Sequence, residues 1–477
     1  MSPHREGISM PDSTTAPRTV AVILAGGIGV RVGLGIPKQL IKIAGKAIVE
    51  HTLDVMNASE VIDEIIIVMN AGAIDQLESL KHDERFPKLT RIIPGGETRN
   101  DSTKAALAAL GDDANTKVLF HDAVRPFVNE RILEECVEAL DHYEAVDTAI
   151  PSADTIIQVD SASHITGIPN RAILRRGQTP QAFRLGTIRA AYELADKDKT
   201  FHATDDCGVV FTYLPGTPIY VVDGTPENMK VTEPIDVHIA DKLFQLQSAS
   251  LTADAEMPDL AGKVIVVFGG SYGIGESIVE LARTAGAEVH QFSRSTTDTD
   301  VRSRSAVKTA LKQAHDASGR IDAVVMSAGV LRMGPLTKTK VKHIESSIET
   351  NFLAPVIVSR AAHKYLKETA GQVLLFTSSS HTRGRANYGI YSASKAAVVN
   401  LTQALAEEWA EDGVRVNCIN PQRTRTPMRT SAFGEEPAES LLDPHQVAEV
   451  SLKVLDSGLT GQIVAVRVEQ QADRSVR

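Results

Sequence analysis

Residues 264–275 read VIVVFGGSYGIG, an apolar β-branched run that enters a turn with Gly269, Gly273 and Gly275 at the spacing G-x-x-x-G-x-G. A strand that empties into such a turn, with a helical pattern behind it, lets backbone N–H groups approach a dinucleotide pyrophosphate unhindered by side chains, and the helix N-terminus favours the negative charge. Ile274 lies inside this turn. Working outward, AEVHQFS (287–293), IDAVVMS (321–327), GQVLLFTS (371–378) and VRVNCI (414–419) repeat the strand-then-helix rhythm. That rhythm predicts a parallel, doubly wound sheet of Rossmann type. A second opening of the same kind stands at TVAVILAGGIGVR (19–31), followed by the strand candidates EIIIVM (64–69), KVLFHD (117–122) and IYVVDG (219–224). The fold class is therefore α/β, with two doubly wound Rossmann-like domains. Their glycine spacings and later motifs differ, so the halves are not a sequence repeat.

A chain of 477 residues exceeds what one core normally serves, which agrees with two domains. The expected division is a flexible polar tail over 1–18, a first domain over 19–245, a linker over 246–258 within the small, polar LFQLQSASLTADAEMPDLAG, and a second domain over 259–477. Apolar residues at 43% and charged residues at 23% are ordinary globular usage. A formal charge of −10 argues against nucleic acid as a partner, so anionic substrates need local cationic pockets. Cys136, Cys207 and Cys418 are few and widely spaced, which suggests neither a disulfide framework nor zinc and fits a cytoplasmic enzyme. No apolar run has the length of a signal peptide core or a membrane span.

In the second half, Tyr391-Ser-Ala-Ser-Lys395 follows Ser378. Reducing a ketone needs a proton donor at the carbonyl oxygen, and a tyrosine of ordinary pKa is a sluggish acid near neutrality. A lysine one helical turn along can lower that pKa. With the glycine turn, these residues over 259–468 resemble the short-chain dehydrogenase/reductase family. The resemblance implies Ser378, Tyr391 and Lys395 as the catalytic set, Lys395 also holding the nicotinamide ribose, and Asn351 supporting a proton-relay water. It implies cofactor contacts at Gly269, Gly273, Ile274, Gly275, Asp300, Ala328 and Gly329. Arg294 stands where NAD enzymes carry an acidic residue, which favours the 2′-phosphate of NADPH. Two departures from the family pattern occur: Ser327 opens the Ser-Ala-Gly stretch where the family has Asn, and Gln422 follows Pro421 where it has Gly. Arg383 and Arg385 follow Ser378, and Arg423 and Arg425 follow Pro421. Guanidiniums converging on one cleft suit a phosphorylated substrate, with about two of the four expected to contact it.

In the first half, LAGGIGVRVGLGIPKQL (24–40) joins a glycine turn to Arg31 and Lys38, a phosphate cradle with cations beside it. With GGETRNDST (95–103), HDAVRP (121–126), NRAILRRGQTPQAF (170–183) and NMKVTEP (228–234), the stretch 19–245 resembles the cytidylyltransferases that make CDP-linked polyols. These are the methylerythritol phosphate and ribitol phosphate enzymes, whose fold carries a β-arm. The resemblance implies that Ala25, Gly26, Gly27 and Ser102 hold the nucleotide, and that Arg31, Lys38 and Lys230 stabilise charge on the α-phosphate and leaving pyrophosphate. It puts Asp122 at the ribose or at Mg²⁺, and Arg125, Thr155, Arg171, Thr179 and Thr204 at the polyol phosphate. Asp205 and Asp206 read equally as metal ligands or as a helix start.

The fusion resembles the bifunctional ribulose-5-phosphate reductase/CDP-ribitol pyrophosphorylases. That resemblance implies reduction of D-ribulose 5-phosphate with NADPH, then coupling to CTP with Mg²⁺, in a homodimer or larger homo-oligomer serving capsule or teichoic-acid-like polymers. The competing readings are a methylerythritol phosphate cytidylyltransferase fused to an unrelated reductase, or to a non-catalytic NADP-binding or dimerising module.

Overall fold

The computed structural model describes residues 17–27, 37–201, 203–254 and 256–467. Residues 1–16 of the expected tail and the candidate site residue Arg31 lie outside the described residues. The chain divides into two compact units, one ending at His238 and the other starting at Ile239. The stretch read as a linker begins inside a helix, Pro234–Asp254. Its Gln, Leu and Ala are good helix formers, and no glycine or proline interrupts them before Pro258.

In the first unit the parallel strands Leu89–Pro94, Glu64–Met69, Thr19–Ala25 and Lys117–Asp122 lie side by side in that order. Every residue of the last three is buried, as expected of parallel strands covered by helices on both faces. Beyond Lys117–Asp122 the sheet turns mixed. Gln181–Arg184 and Ala145–Pro151 add antiparallel pairs, Arg175–Gly177 closes the edge, and Ile219–Asp223 runs parallel to Ala145–Pro151. A small hairpin, Gln158–Val159 with Ile165–Gly167, forms the expected β-arm.

The second unit has six parallel strands in the order Glu288–Phe292, Val264–Phe268, Ala323–Met326, Gln372–Phe376, Arg415–Pro421 and Ile463–Val466. The chain runs outward from Val264–Phe268, then crosses back to Ala323–Met326. The order reverses there, so the carboxyl ends of these two strands border the crevice where doubly wound sheets bind ligands. Among the described residues, no helix is long and apolar enough to cross a membrane.

Candidate active sites

In the first unit the strand Thr19–Ala25 delivers the chain to Gly26 and Gly27. Space is short there: a Cβ on Gly26 would lie 3.1 Å from the Ser102 hydroxyl oxygen, and one on Gly95 only 2.7 Å from it. Ser102 is thus pressed against two stretches of bare backbone. The Gln39 amide donates to the Ala25 carbonyl at 2.6 Å and ties the Pro37-Lys38-Gln39 segment to the strand end. Lys38 then reaches the turn, its Cε 3.4 Å from where a Gly27 Cβ would stand.

Asp122 closes the neighbouring strand and gathers cations. Lys230 Nζ is 2.8 Å from its carboxylate, Arg125 Nε 3.7 Å and Arg99 Nε 3.8 Å. Burial alone would raise its pKa, but Lys230, Arg99 and Arg125 outweigh it and hold the carboxyl well below the usual carboxylate range. Arg99 is the residue that sequence reasoning quoted within GGETRNDST without a role. Its other anchor is Asp206, 2.7 Å away and fully buried. Three cations thus converge on Asp122 and Asp206, with Asp147 also acting on Arg125. Arg99 Nη2 and Arg125 Nε are buried without hydrogen-bond partners, which fits an anion completing the cluster.

Thr179 lies behind this cluster. Its hydroxyl accepts from the Asp122 N–H at 3.1 Å and pairs with His121 Nδ1 at 3.0 Å. A carbonyl only accepts, so His121 Nε2 carries the hydrogen given to the Arg125 carbonyl at 3.1 Å, which leaves Nδ1 to accept the Thr179 hydroxyl proton. Thr179 thus orients Asp122 and Arg125. The acidic pair resolves as a helix start: Asp205 caps Asp206–Tyr213 by accepting from the Gly208 N–H at 2.8 Å, while Asp206 accepts from Arg99 and Tyr192. Thr204, just before the cap, is exposed. Thr155 and Arg171 sit on the β-arm, exposed, with Arg171 donating to the Ala153 carbonyl at 3.1 Å. Among the described residues no hydrogen bond or ion pair joins them to the Asp122 cluster, and no group of carboxylates, histidines or cysteines makes a metal cage.

The buried groups here set an acid limit. Burial pushes His121 down to about 4 and His51 likewise to about 4, while burial pushes Asp147 up to about 6. Below the ordinary imidazole value, unfolding lets two histidines take protons that the folded unit refuses; below pH 6 the folded unit keeps one proton on Asp147 that the unfolded chain releases. Two outweigh one, so stability falls as pH drops from 6.5 toward 4, by about 3 kcal/mol. Calorimetry should find the first unit melting several degrees lower at pH 5 than at pH 7, with the difference reduced in His121→Gln. A midpoint unmoved by pH would contradict this assignment.

In the second unit the glycine turn is obligatory. Gly269 has φ 88°, and a Cβ there would stand 2.6 Å from the Ala328 nitrogen; one on Gly275 would meet the Gly269 carbonyl at 2.3 Å. Ser327 fits this packing, donating to the Phe268 carbonyl at 3.0 Å, and Gln422 donates through its backbone to Val466 at 2.8 Å. Neither departure disrupts the crevice. One continuous pocket runs from Gly273, Arg294 and Asp300 to Ser378, Tyr391 and Lys395. The Ser293 hydroxyl contacts those of Ser295 and Thr296 at 3.1 and 2.8 Å, beside the exposed Arg294. Asp300 is paired with Arg302 at 2.6 Å.

Asn351 sits in a π-helical turn, Glu349–Leu353, with its amide paired to one backbone residue: it donates to the Val330 carbonyl and accepts from the Val330 N–H, both at 2.8 Å. This side chain fixes the loop carrying Gly329. Tyr391 and Ser378 line the same pocket, and Ser378 acts on the phenol in the direction of a lower pKa. Contrary to expectation, its pKa is raised, because burial outweighs the effect of Ser378. Lys395 Nζ stands 5.9 Å from the Tyr391 ring centre and donates instead to the Phe376 carbonyl at 2.8 Å. Burial lowers Lys395 itself to about 8.

The four predicted arginines separate. Arg423 and Arg385 line the cleft beside Tyr391. Arg383 lines a shallow depression with Arg385, and Arg425 is 60% exposed and paired with Asp443. Sequence reasoning missed Arg429, which lines both the cofactor pocket and the cleft. Only its place after the Thr426 cap and Pro427, which start a helix, could have pointed to it.

Comparison with known proteins agrees with this division. The family described as 2-C-methyl-D-erythritol 4-phosphate cytidylyltransferase matches residues 19–246, and the short chain dehydrogenase family matches residues 263–437. A 2-C-methyl-D-erythritol 4-phosphate cytidylyltransferase of Thermobifida fusca is 45% identical over 48% of this chain and 94% of its own. A ribitol-5-phosphate cytidylyltransferase of Vibrio parahaemolyticus is 32% identical over 48% of this chain and 96% of its own. Both halves are matched together by the bifunctional ribulose 5-phosphate reductase/CDP-ribitol pyrophosphorylase Bcs1 of Haemophilus influenzae, 44% identical over 95% of this chain and 97% of that one. With both sites assembled and that identity running through both units, the chain belongs to the family of bifunctional ribulose 5-phosphate reductase/CDP-ribitol pyrophosphorylases.

Proposed function

We propose that the protein reduces D-ribulose 5-phosphate with NADPH to D-ribitol 5-phosphate, and couples that product with CTP to give CDP-ribitol and pyrophosphate. The observation that carries this reading is one chain holding both a cationic cluster on Asp122 and a Ser378–Tyr391–Lys395 set beside an arginine-lined cleft. The product would supply ribitol phosphate to capsule or teichoic-acid-like polymers.

In the reductase, the bare backbone at Gly269, Gly273 and Gly275 and the helix beginning at Gly273 fit the pyrophosphate of a dinucleotide. NADPH, when bound, supplies hydride. Ile274, Asp300, Ala328 and Gly329 line its expected path, and Arg294 with Ser293, Ser295 and Thr296 offers donors to a 2′-phosphate. Arg294→Glu should therefore raise the KM for NADPH roughly tenfold or more and improve the use of NADH. Unchanged coenzyme preference in steady-state assays would remove Arg294 from this role. Ser378 positions the carbonyl, Tyr391 gives its hydroxyl proton to the carbonyl oxygen, and Asn351 holds the relay side of the pocket.

In the transferase, Ala25, Gly26, Gly27 and Ser102 receive the nucleotide, while Lys38, Lys230 and Arg31 face the charge that develops on the phosphates. This is positioning and electrostatics, with the polyol phosphate oxygen as nucleophile. Mg²⁺ would be held by the Asp122 carboxylate together with the triphosphate oxygens, as Mg²⁺ commonly binds through one or two carboxylates and substrate phosphates, and would supply charge neutralisation there. Arg125, Thr155, Arg171 and Thr204 are assigned to the acceptor side, with Thr179, expected there from the sequence, acting from behind by orienting Asp122 and Arg125. The arm exposes apolar side chains, from Ile156 at 42% to Ile173 at 77%, which supports self-association as a homodimer or larger homo-oligomer. Cys136, Cys207 and Cys418 are buried free thiols, which supports a cytoplasmic setting.

A coupled assay with D-ribulose 5-phosphate, NADPH, CTP and Mg²⁺ tests the whole reading. NADPH oxidation with CDP-ribitol in the mass spectrum is expected. CTP consumption with methylerythritol phosphate alone, and no NADPH oxidation, would overturn it.

A further inference from the structure

The cleft beside Tyr391 has an exposed cationic wall made by Arg385 and Arg423, which come from the loops after the strands Gln372–Phe376 and Arg415–Pro421. Arg429 differs from both. Its side chain and that of Glu436 are each only 19% exposed, and the two meet in a two-point pair: Nε to Oε2 at 2.6 Å and Nη2 to Oε1 at 2.8 Å. The guanidinium carbon lies 4.5 Å over the Phe433 ring, so the fork is fixed in direction. Gly434, at φ 75°, makes the turn that brings Glu436 back onto Arg429.

The pair is not remote from the chemistry. Arg429 acts electrostatically on Tyr391 and lines the pocket that holds Tyr391 and Lys395. Glu436 in turn lies in the field of Arg423 as well as Arg429. A carboxylate thus occupies the Arg429 fork, in the cleft that Arg423 also lines, at a position that a phosphate would fill with more charge and one more oxygen. Glu439 and Lys242 line the same cleft and leave its charge balance with the arginines.

We infer that Glu436 is a resident stand-in for the substrate's phosphate: its carboxylate holds the Arg429 fork in the unliganded enzyme, and the phosphate of a ketose phosphate displaces it to bind Arg429 together with Arg423. Glu436 then competes with substrate and rejects unphosphorylated ketoses, which cannot displace it. No bond is made or broken in this exchange. It rests on the reading of the second unit as a reductase of a sugar phosphate, and names the groups that recognise the phosphate.

The test uses the full chain with NADPH and compares D-ribulose 5-phosphate with unphosphorylated D-ribulose. Arg429→Gln should raise the KM for the phosphorylated ketose roughly tenfold to a hundredfold, and the ratio of kcat/KM between the two ketoses should collapse by the same factor. Glu436→Gln should move the KM the other way, lowering it severalfold. If Glu436→Gln raises the KM as Arg429→Gln does, the glutamate only positions the arginine and the exchange is refuted; equal losses with both ketoses refute phosphate recognition. Should Arg429→Gln fail to fold, Arg423→Gln carries the same expectation. Calorimetric titration with inorganic phosphate reads the site without turnover, with tighter binding expected in Glu436→Gln than in wild type. If wild type oxidises no NADPH with either ketose, the reductase reading fails, and the phosphate titration still decides the exchange.

Discussion

Replacing Tyr391 by Phe is expected to reduce NADPH-dependent ketone reduction by roughly 10²- to 10⁴-fold, the usual worth of a positioned proton donor. The substitution removes one oxygen. The ring stays in its place near Tyr388, whose ring centre is 6.4 Å away, so the pocket wall is preserved. The glycine turn at Gly269–Gly275 is untouched, and NADPH binding measured by fluorescence should be near wild type. Cytidylyl transfer depends on residues of the other unit and serves as the internal control for folding. The raised pKa of Tyr391 has a consequence too: burial keeps the phenol protonated in the unliganded enzyme, which is the form a reductase needs for giving a proton. Lys395, lowered to about 8 by burial, loses its own charge at mildly alkaline pH, so the alkaline limb of the reductase profile should begin near there. Reduction persisting within tenfold of wild type in the Phe variant would show that another group supplies the proton. It would also revive the reading of this unit as a binding module.

What could be read in the sequence, and what could not, follows from how far each feature depends on neighbours. Fully buried parallel strands announce themselves as continuous β-branched runs, and Glu64–Met69 and Lys117–Asp122 begin and end where the pattern places them. Ala145–Pro151 and Gln181–Arg184 carry Asp147, Thr148 and Gln181 inside strands, and no periodicity marks them. They are strands because the sheet edge beyond Lys117–Asp122 offers them partners, and Gln181 is satisfied by donating to Asp147 at 2.9 Å and to Asp205 at 3.1 Å. The site behaves similarly. Motif residues with a backbone reason, such as Gly269 against Ala328, are legible from spacing. Arg99 and Arg429 are not, because each takes its role from a carboxylate far along the chain or around a turn. Arg425 was a fair candidate by position, and is drawn off by Asp443, the cap of the helix Pro444–Asp456.

Lys230→Met carries the largest expected effect on the other reaction. Lys230 is the nearest cation to Asp122, at 2.8 Å, against 3.7 and 3.8 Å for Arg125 and Arg99, and its side chain is 37% exposed. It can therefore face an incoming triphosphate while the two arginines remain packed against their carboxylates. Losing one such preorganised charge costs roughly 10²- to 10³-fold in rate, so CDP-ribitol formation should fall by that factor with ketone reduction unchanged. Methionine keeps the length of the stem, which separates the charge from its packing. The acid side of the transferase profile gives a second readout. Asp122 is held below the ordinary carboxylate range, with Lys230 the foremost cation responsible, so in wild type it stays ionised well below pH 4. A carboxylate with a depressed folded pKa contributes stability above its unfolded value and loses it as pH falls toward the folded one. Removing Lys230 raises the folded value, so that contribution shrinks and the acid limb of transfer moves to higher pH. Asp122→Asn separates the two roles. It leaves Lys230, Arg99 and Arg125 without their shared anion, so the first unit should melt lower, while the acid limb set by Asp122 disappears. A Lys230→Met enzyme with full transfer activity and an unshifted acid limb would place the charge-stabilising role on Lys38 and Arg99 instead.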